Sequence, residues 1–542
     1  MSLSTENKYA VVGMGGIFPG AQNLDQFWRN LVAERVEIKH LPPDSLERAV
    51  FFRPEVLGRL DKADSSYTDL LATTDVVEFD GRAFRIPPTA AARMDRNQQL
   101  SLLAAEQALS SDGLKGVDRN RVCVFMGSSM IGQLHHDYVA RLDCRKYEYL
   151  LQHHPDFCAS LPPETQQRVI TEVRGQMLGN SPNITEDSAP GVLPNIIAAR
   201  ISAAFDFHGH AYVIDAACAS GLAALICGVQ QLQLRQADAV VCGAVDVQNQ
   251  EFGRTYFSGM GALSPEGSFP FDERASGFVV GDGAGALVLK RLEDAISADN
   301  RIFAVVTGFG QTSDGKGKTI AAPNEVWQAR TIQKAWAMAG VPADSVEMIE
   351  AHATSTQVGD LSEVNALKRA FAELGATRVG FCGIGSVKSN IGHLKSAAGI
   401  AGFLKAALAL ERKYLPPTAG IRKVNPKLQL EHSPFYVLTS GREWRAKEHP
   451  RRAGVSAFGF GGANYHIALE EFRHEDYAAC TRQHGKLVIR DAASEAALDP
   501  IISQSPPSGA VPVVDNTASK ATVYALPLFE HGHDVERARA RV

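Results

Sequence analysis

The chain has 542 residues, of which 45% are hydrophobic and 21% charged, with a net charge of −5. That composition fits a globular protein with a large core, and the length is enough for more than one domain. The slightly acidic balance and the lack of a long basic run argue against nucleic-acid binding. No apolar run approaches the ~18–20 residues that span a bilayer.

The N-terminus, MSLSTENKYAVVG, has no positive leader region and runs directly into a strand, so no signal peptide is expected. The strand at Lys8–Gly13 is followed by a loop and an amphipathic helix in GGIFPGAQNLDQFWRNLV. The glycines here lack the G-x-G-x-x-G spacing of a dinucleotide loop, and a proline follows quickly. MDRNQQLSLLAAEQALSSDGL predicts a helix closed by Gly113, and RVCVFMGSS a strand. Residues 131–188 form a long polar, aromatic-rich insertion ahead of a helix in PNIIAARISAAF.

The segment Ala211–Ala216 predicts a short buried strand ending in a small-residue turn. From Ala219 the pattern becomes helical, with Leu222, Leu225, Ile226, Val229 and Leu232 on one face. Cys218 therefore stands at a strand-to-helix junction. Free N–H groups and the positive helix end meet there, and both favour a thiolate. Taken alone, Cys218 is equally well a small cysteine packed under a sheet.

ADAVVCGAVD gives the next strand. A second, similar run follows: strands in GAGALVLK and RIFAVVTGFG, a helix at Glu325–Ala339, a strand at Val346–Ile349, a helix at Leu361–Leu374, a strand in FCGIGSV and a helix from Leu394. The last strands lie near PFYVLTS and YHIALEEF. AVVG near the start and AVVTG at Ala304–Gly308 echo each other weakly, which by itself does not prove a duplication. From about Glu475 periodicity fades into Pro/Ser/Gly-rich chain. The eight cysteines contain no C-x-x-C, which argues against zinc and a disulfide framework and fits a reducing cytoplasm.

His352 ends an apolar strand in MIEAHATSTQVGDLSEVNAL, and Lys388 and His393 precede a helix in GIGSVKSNIGHLKSAAGIAGFL. A lone histidine is more often structural than catalytic. These lie in glycine- and small-residue-rich stretches, where backbone comes close to a ligand. Four motifs stand in order: DAACAS, HATSTQVGD, VKSNIGH and FGFGGANYHIAL. Together they resemble the β-ketoacyl synthases, the condensing enzymes of the thiolase superfamily, over roughly residues 8–470. The mixture of details resembles both type I polyketide synthases and polyunsaturated-fatty-acid or discrete fatty-acid enzymes. GALSPEGSFPFDE looks like the former, GFVVGDGAGALVL like the latter.

The resemblance implies an α/β thiolase fold, two β-α-β-α-β-α-β halves stacked as five αβαβα layers with the site between them. The expected halves are 8–258, with the cysteine, and 259–473, with both histidines; 474–542 is a linker or docking tail, partly disordered. It implies that Cys218 carries the acyl group, that His352 and His393 stabilise an enolate, and that Lys388 holds charge near His352. Thr354 and Thr356 would bind a phosphopantetheine arm. Asp360, Glu363 and Asn390 would support the loops, with the two carboxylates pairing with Lys388. The Phe460 N–H would complete an oxyanion hole, and its ring, on the Gly461 loop, would gate the acyl pocket. No metal and no tightly bound cofactor are implied.

The implied reaction is decarboxylative condensation of a cysteine-bound acyl group with a malonyl-type unit on acyl carrier protein. A homodimer is expected from surplus apolar surface on Ala239–Val245 and the Cys218 helix. A basic entrance for the acidic carrier is expected among Arg412, Lys413, Arg422, Lys423, Lys427, Arg451 and Arg452. Two other readings remain: a non-condensing acyl-transfer or chain-length relative, and a Cys/His hydrolase. The presence of both Cys218 and His352 counts against the first, and the threonine and lysine motifs are unexplained by the second.

Overall fold

Eleven strands make one mixed sheet: β1 (Tyr9–Ile17), β2 (Val122–Gly127), β3 (Ala211–Ile214), β4 (Ala239–Asp246), β5 (Gly283–Arg291), β6 (Ala304–Ser313), β7 (Met348–Glu350), β8 (Cys382–Gly385), β9 (Phe435–Val437), β10 (Arg452–Gly459) and β11 (Ala463–Glu470). The computed structural model describes residues 4–477 except 60–63, 76, 130, 180, 248–250, 318, 321 and 446, and the tail segments 488–491, 511–513 and 521–525. Across the sheet the order is β9-β8-β7-β10-β11-β6-β1-β5-β4-β2-β3.

That order contains the same arrangement twice. The first five strands run β3-β2-β4-β5-β1, with two parallel joints followed by two antiparallel ones. The later strands run β8-β7-β10-β11-β6 with the same polarities, β9 being an added edge. The echo of AVVG and AVVTG falls on the first strand of each set, and these two pair antiparallel with Ala10 opposite Val305. The first set ends at Arg291 and the second begins at Ala304, so the expected divide at 258 falls too early and cuts off β5. The reason is that the chain leaves the first set for a helix at Glu251–Gly259 and a long loop before returning with β5.

The principal helices are α1 (Arg96–Leu109), α2 (Gln133–His153), α3 (Pro163–Leu178), α4 (Ile196–Phe205), α5 (Ser220–Gln233), α6 (Glu325–Ala339), α7 (Gln357–Glu373) and α8 (Ala398–Arg412). α1 and α4 cover one side of the first set, α6 the far side of the second with α7 packed on it, and α5 and α8 lie between. These are the five expected layers. Every residue of α8 from Ala398 to Leu410 is buried, as a helix enclosed between the two sets of strands requires. The surplus apolar surface expected to cover a second copy of the chain is covered by the chain itself. β4 is buried along its whole length, and α5 packs on α8 so closely that a Cβ on Gly221 would sit 2.7 Å from Ile400.

The insertion at 131–188 is largely helical, carrying α2 and α3. α2 buries only Tyr138 and Cys144, and α3 only Ile170, so neither has the apolar stripe that marks a helix in sequence. Within the tail, Val488–Asp491, Ala521–Ala525 and Val511–Val513 pair into a small antiparallel sheet. Apart from residues 474–477, the rest of the expected linker lies outside the described residues.

Candidate active site

Cys218 occupies the tight turn Ala217–Ala219 between β3 and α5. Ala217 adopts φ +50°, which costs a residue with a Cβ about 1 kcal/mol or more. Side chains brace this turn. Asp215 accepts the Ala217 N–H at 2.8 Å; the Ser220 hydroxyl accepts the Ala216 N–H at 2.9 Å and donates to the Ala217 carbonyl at 2.6 Å. The end of β10 presses against it: a Cβ on Gly459 would lie 2.2 Å from the Ala216 carbonyl oxygen. Only glycine permits this approach, and it brings the Phe460 backbone N–H onto the Cys218 sulfur. Burial pushes the Cys218 thiol up, while the Phe460 N–H and Lys388 pull it back. Desolvation thus opposes the thiolate that the helix end favours, and the net direction is upward from the ordinary cysteine range.

His352 follows β7, and its loop is clamped from α7. The two Glu363 oxygens accept the N–H groups of His352 and Ala353 at 2.8 and 2.7 Å. His393 comes from the turn before α8. The two imidazoles meet edge to face, with ring centroids 5.4 Å apart. Phe458 lies against His352 at 5.8 Å and Phe278 against His393 at 5.1 Å. Burial, reinforced by the Lys388 charge, holds both histidines well below the ordinary imidazole range, so both are neutral. Nδ1 of His393 accepts the Lys395 backbone N–H at 3.2 Å. A neutral ring with that nitrogen occupied carries its proton on Nε2.

Lys388 is buried in the short helix Lys388–Ile391. Burial lowers its pKa, and Glu350, Glu363, Cys218 and Asp360 oppose the shift. Asp360 and Glu363 are pushed up to about 7, burial being the main cause for each. Asp360 accepts the Phe271 N–H at 2.9 Å, fixing the loop after Gly267. Thr356 caps α7 by accepting the Gly359 N–H at 3.2 Å, and its hydroxyl lies 3.2 Å from that of Thr354. Asn390 binds a distant loop: its amide donates to the Arg35 carbonyl at 2.9 Å, and its backbone carbonyl accepts the Glu37 N–H at 2.7 Å.

The Phe460 side chain is 50% exposed, in a turn where Gly461 and Gly462 take φ +94° and +84°. Phe458 and Phe278 are site residues that sequence reasoning missed. For Phe458 the signal is its place in the FGFGG motif, two residues before Phe460. Phe278 carries no comparable signal.

Of the basic residues expected at the entrance, Arg451 and Arg452 are buried. Arg451 pairs with Glu471 at 2.5 Å, and Arg452 with Glu470 at 2.8 Å while donating to Ser345 at 2.7 Å. They are core ion pairs, not a docking surface. A charged run next to a strand gives no sign in sequence of which arginines fold inward. Arg412, Lys413, Arg422, Lys423 and Lys427 are exposed. Among the described residues no helix is long and apolar enough to cross a membrane.

Comparison with known proteins agrees with this geometry. Residues 6–295 match the beta-ketoacyl synthase N-terminal domain, 303–422 its C-terminal domain and 425–510 the ketoacyl-synthetase C-terminal extension. The chain is 34% identical over 468 residues to a phenolphthiocerol/phthiocerol polyketide synthase of Mycobacterium tuberculosis, covering 85% of this chain and 27% of that one. It is 30% identical to the Bacillus subtilis polyketide synthase PksN, over 91% of this chain and 9% of the relative. The chain thus spans about a quarter or less of these relatives. Among solved structures, the ketosynthase from module 6 of the Bacillus subtilis bacillaene synthase superposes with a TM-score of 0.71 at 31% identity, over 91% of this chain and 76% of that one. The PfaC keto synthase–chain length factor superposes with a TM-score of 0.72 at 27% identity, over 86% and 48%. The cysteine turn, the histidine pair and these matches lead to one statement: the chain belongs to the β-ketoacyl synthase family.

Proposed function

We propose that this protein condenses a cysteine-bound acyl group with a malonyl-type unit delivered on the phosphopantetheine of an acyl carrier protein, as one step of polyketide or fatty-acid assembly in the cytoplasm. The observation that carries this reading is the facing pair of neutral histidines, 5.4 Å apart, beside the braced Cys218 turn.

In the first half-reaction the Cys218 thiol gives up its proton and its sulfur attacks the acyl thioester carbonyl. The Cys218 and Phe460 N–H groups receive the developing oxyanion. The carrier thiol leaves with the proton, and the acyl group stays on sulfur, which splits one hard step into two. In the second, the malonyl carboxylate departs as CO2 and its electron pair becomes an enolate. Nε2–H of His393 and an N–H of His352 donate to the enolate oxygen. The enolate carbon attacks the acyl carbonyl, and the Cys218 thiolate is released and takes up a proton from water to restore the thiol. Burial, reinforced by the Lys388 charge, keeps both imidazoles neutral, each with one N–H to donate, while Glu363 fixes the His352 backbone. Thr354 and Thr356 would bind the phosphopantetheine arm through their hydroxyls.

The same reading includes a homodimer. β3 is the edge strand of the sheet, and Ala211 and Tyr212 on it are exposed, so a second copy has an open edge to meet. Light scattering giving the mass of a single 58.4 kDa chain at micromolar concentration would refute the dimer. For the reaction, the protein is incubated with acyl- and malonyl-carrier proteins and the product analysed. A β-ketoacyl thioester is expected; transfer or hydrolysis of the acyl group alone contradicts condensation.

A further inference from the structure

The turn that carries His393 is fastened to the other half of the chain by a buried ion pair. Lys395 is 2% exposed and Asp246 3%. Lys395 Nζ lies 3.0 Å from Asp246 Oδ1 and donates to the Gly281 carbonyl at 2.9 Å. The other Asp246 oxygen accepts the Ser396 hydroxyl at 2.9 Å, a hydroxyl that lies 2.8 Å from the Val245 carbonyl oxygen. Asp246 ends β4, in the half that holds Cys218, whereas Lys395 and Ser396 belong to the half that holds both histidines. The turn Lys395–Ala397 lies against the Cys218 turn.

The backbone of Lys395 is unusual as well. Its φ is +48°, a left-handed conformation that a residue with a side chain holds only when its surroundings impose it. In this conformation its N–H donates to His393 Nδ1 at 3.2 Å. A buried ion pair seldom adds net stability, since desolvation offsets most of the attraction; its value lies in fixing one arrangement. Here the arrangement it fixes is the one that presents Lys395 N–H to His393.

We propose that Asp246 and Lys395 are positioning residues for His393: their ion pair locks the left-handed Lys395 backbone, which holds His393 as its Nε2–H tautomer in register with Cys218. The inference rests on the condensing-enzyme reading for its kinetic consequence, but not for its structural one.

Two variants test it, Lys395→Met, which removes the charge at similar length, and Asp246→Asn, which keeps the shape and tolerates folding better. Each is compared with the wild type for Cys218 self-acylation, for condensation, and for the imidazole 15N signals of His393. The His393 signals are assigned by their loss in His393→Asn. In Lys395→Met, condensation should fall on the order of 10–100-fold, self-acylation should stay within about threefold, and the single Nε2–H signature should give way to a tautomer mixture. Asp246→Asn should show the same split at smaller size. In a His393→Asn background neither substitution should lower condensation further. Unchanged His393 signals in a folded variant, a further loss in the His393→Asn background, or equal loss in both half-reactions overturns the proposal. Because the nitrogen signals are read without turnover, they report on the inference even if the protein proves not to condense.

Discussion

His352 and His393 come from different loops, yet their rings meet at 82° with centroids 5.4 Å apart. Neither is charged at neutral pH, because burial and the Lys388 ammonium both oppose protonation. Two neutral imidazoles cannot act as strong acids, but they can donate hydrogen bonds to an oxygen that gains charge.

If that is their task, removing one donor should affect decarboxylation more than acyl transfer. His352→Asn or His393→Asn should keep most of the acyl-Cys218 burst and depress condensation by roughly 10²–10³-fold. Rapid-quench measurement of both half-reactions decides it; condensation at the wild-type rate in His393→Asn contradicts the role.

Arg452 is a stability residue. Arg452→Glu opposes Glu470 at a buried contact, where loss of one partner costs about 3–5 kcal/mol. Urea unfolding should show a correspondingly lower midpoint. Normal stability with a raised KM for acyl-carrier protein would instead restore Arg452 to the docking surface.

The exposed Arg422 and Lys427 are the stronger docking candidates. Charge reversal at both should raise KM for acyl-carrier protein, with a difference that shrinks as salt is added. Reaction with a short acyl-pantetheine thioester should be nearly unchanged. Equal loss with both substrates contradicts a docking role.

Asp282 gives a pH signature. It is buried beneath the Thr74 N–H, and burial pushes its carboxyl up to about 6. The folded protein therefore binds this proton more tightly than the unfolded chain. Its contribution to stability is present below about pH 4 and lost as pH rises through 6. Asp282→Asn keeps an acceptor for Thr74 and removes the titration, so thermal unfolding should fall less steeply between about pH 4 and 7 than in the wild type. Identical slopes contradict this.

Much of the layout is legible in the sequence where the signal is local. The helix at Glu325–Ala339 is found at the residues its periodicity predicts, and the Cys218 junction is a strand, a turn and a helix, as its composition suggests, but the strand expected to be buried is an edge strand with Ala211 and Tyr212 exposed. The duplication is not legible: strand order and polarity repeat, but the residues that make them have diverged to one faint echo. β10 is hidden inside a glycine-rich stretch that looks like loop, because its glycines serve close packing rather than flexibility: Gly459 on the Cys218 turn and Gly454 against His466 and Ile349. Whether an arginine faces solvent or a buried glutamate depends on a partner strand, and Glu470 and Glu471 lie too far along the chain to be read as partners of Arg452 and Arg451.

The central claim is that Cys218 carries the acyl group that a malonyl-derived enolate then removes. The direct measurement is peptide-mapped mass spectrometry after incubation with acyl-carrier protein, followed by addition of malonyl-carrier protein. The account predicts an acyl mass on the Cys218 peptide that disappears on malonyl addition as a β-ketoacyl product forms, and no adduct in Cys218→Ala. An acyl adduct that persists in Cys218→Ala, or one that malonyl-carrier protein does not discharge, would contradict it.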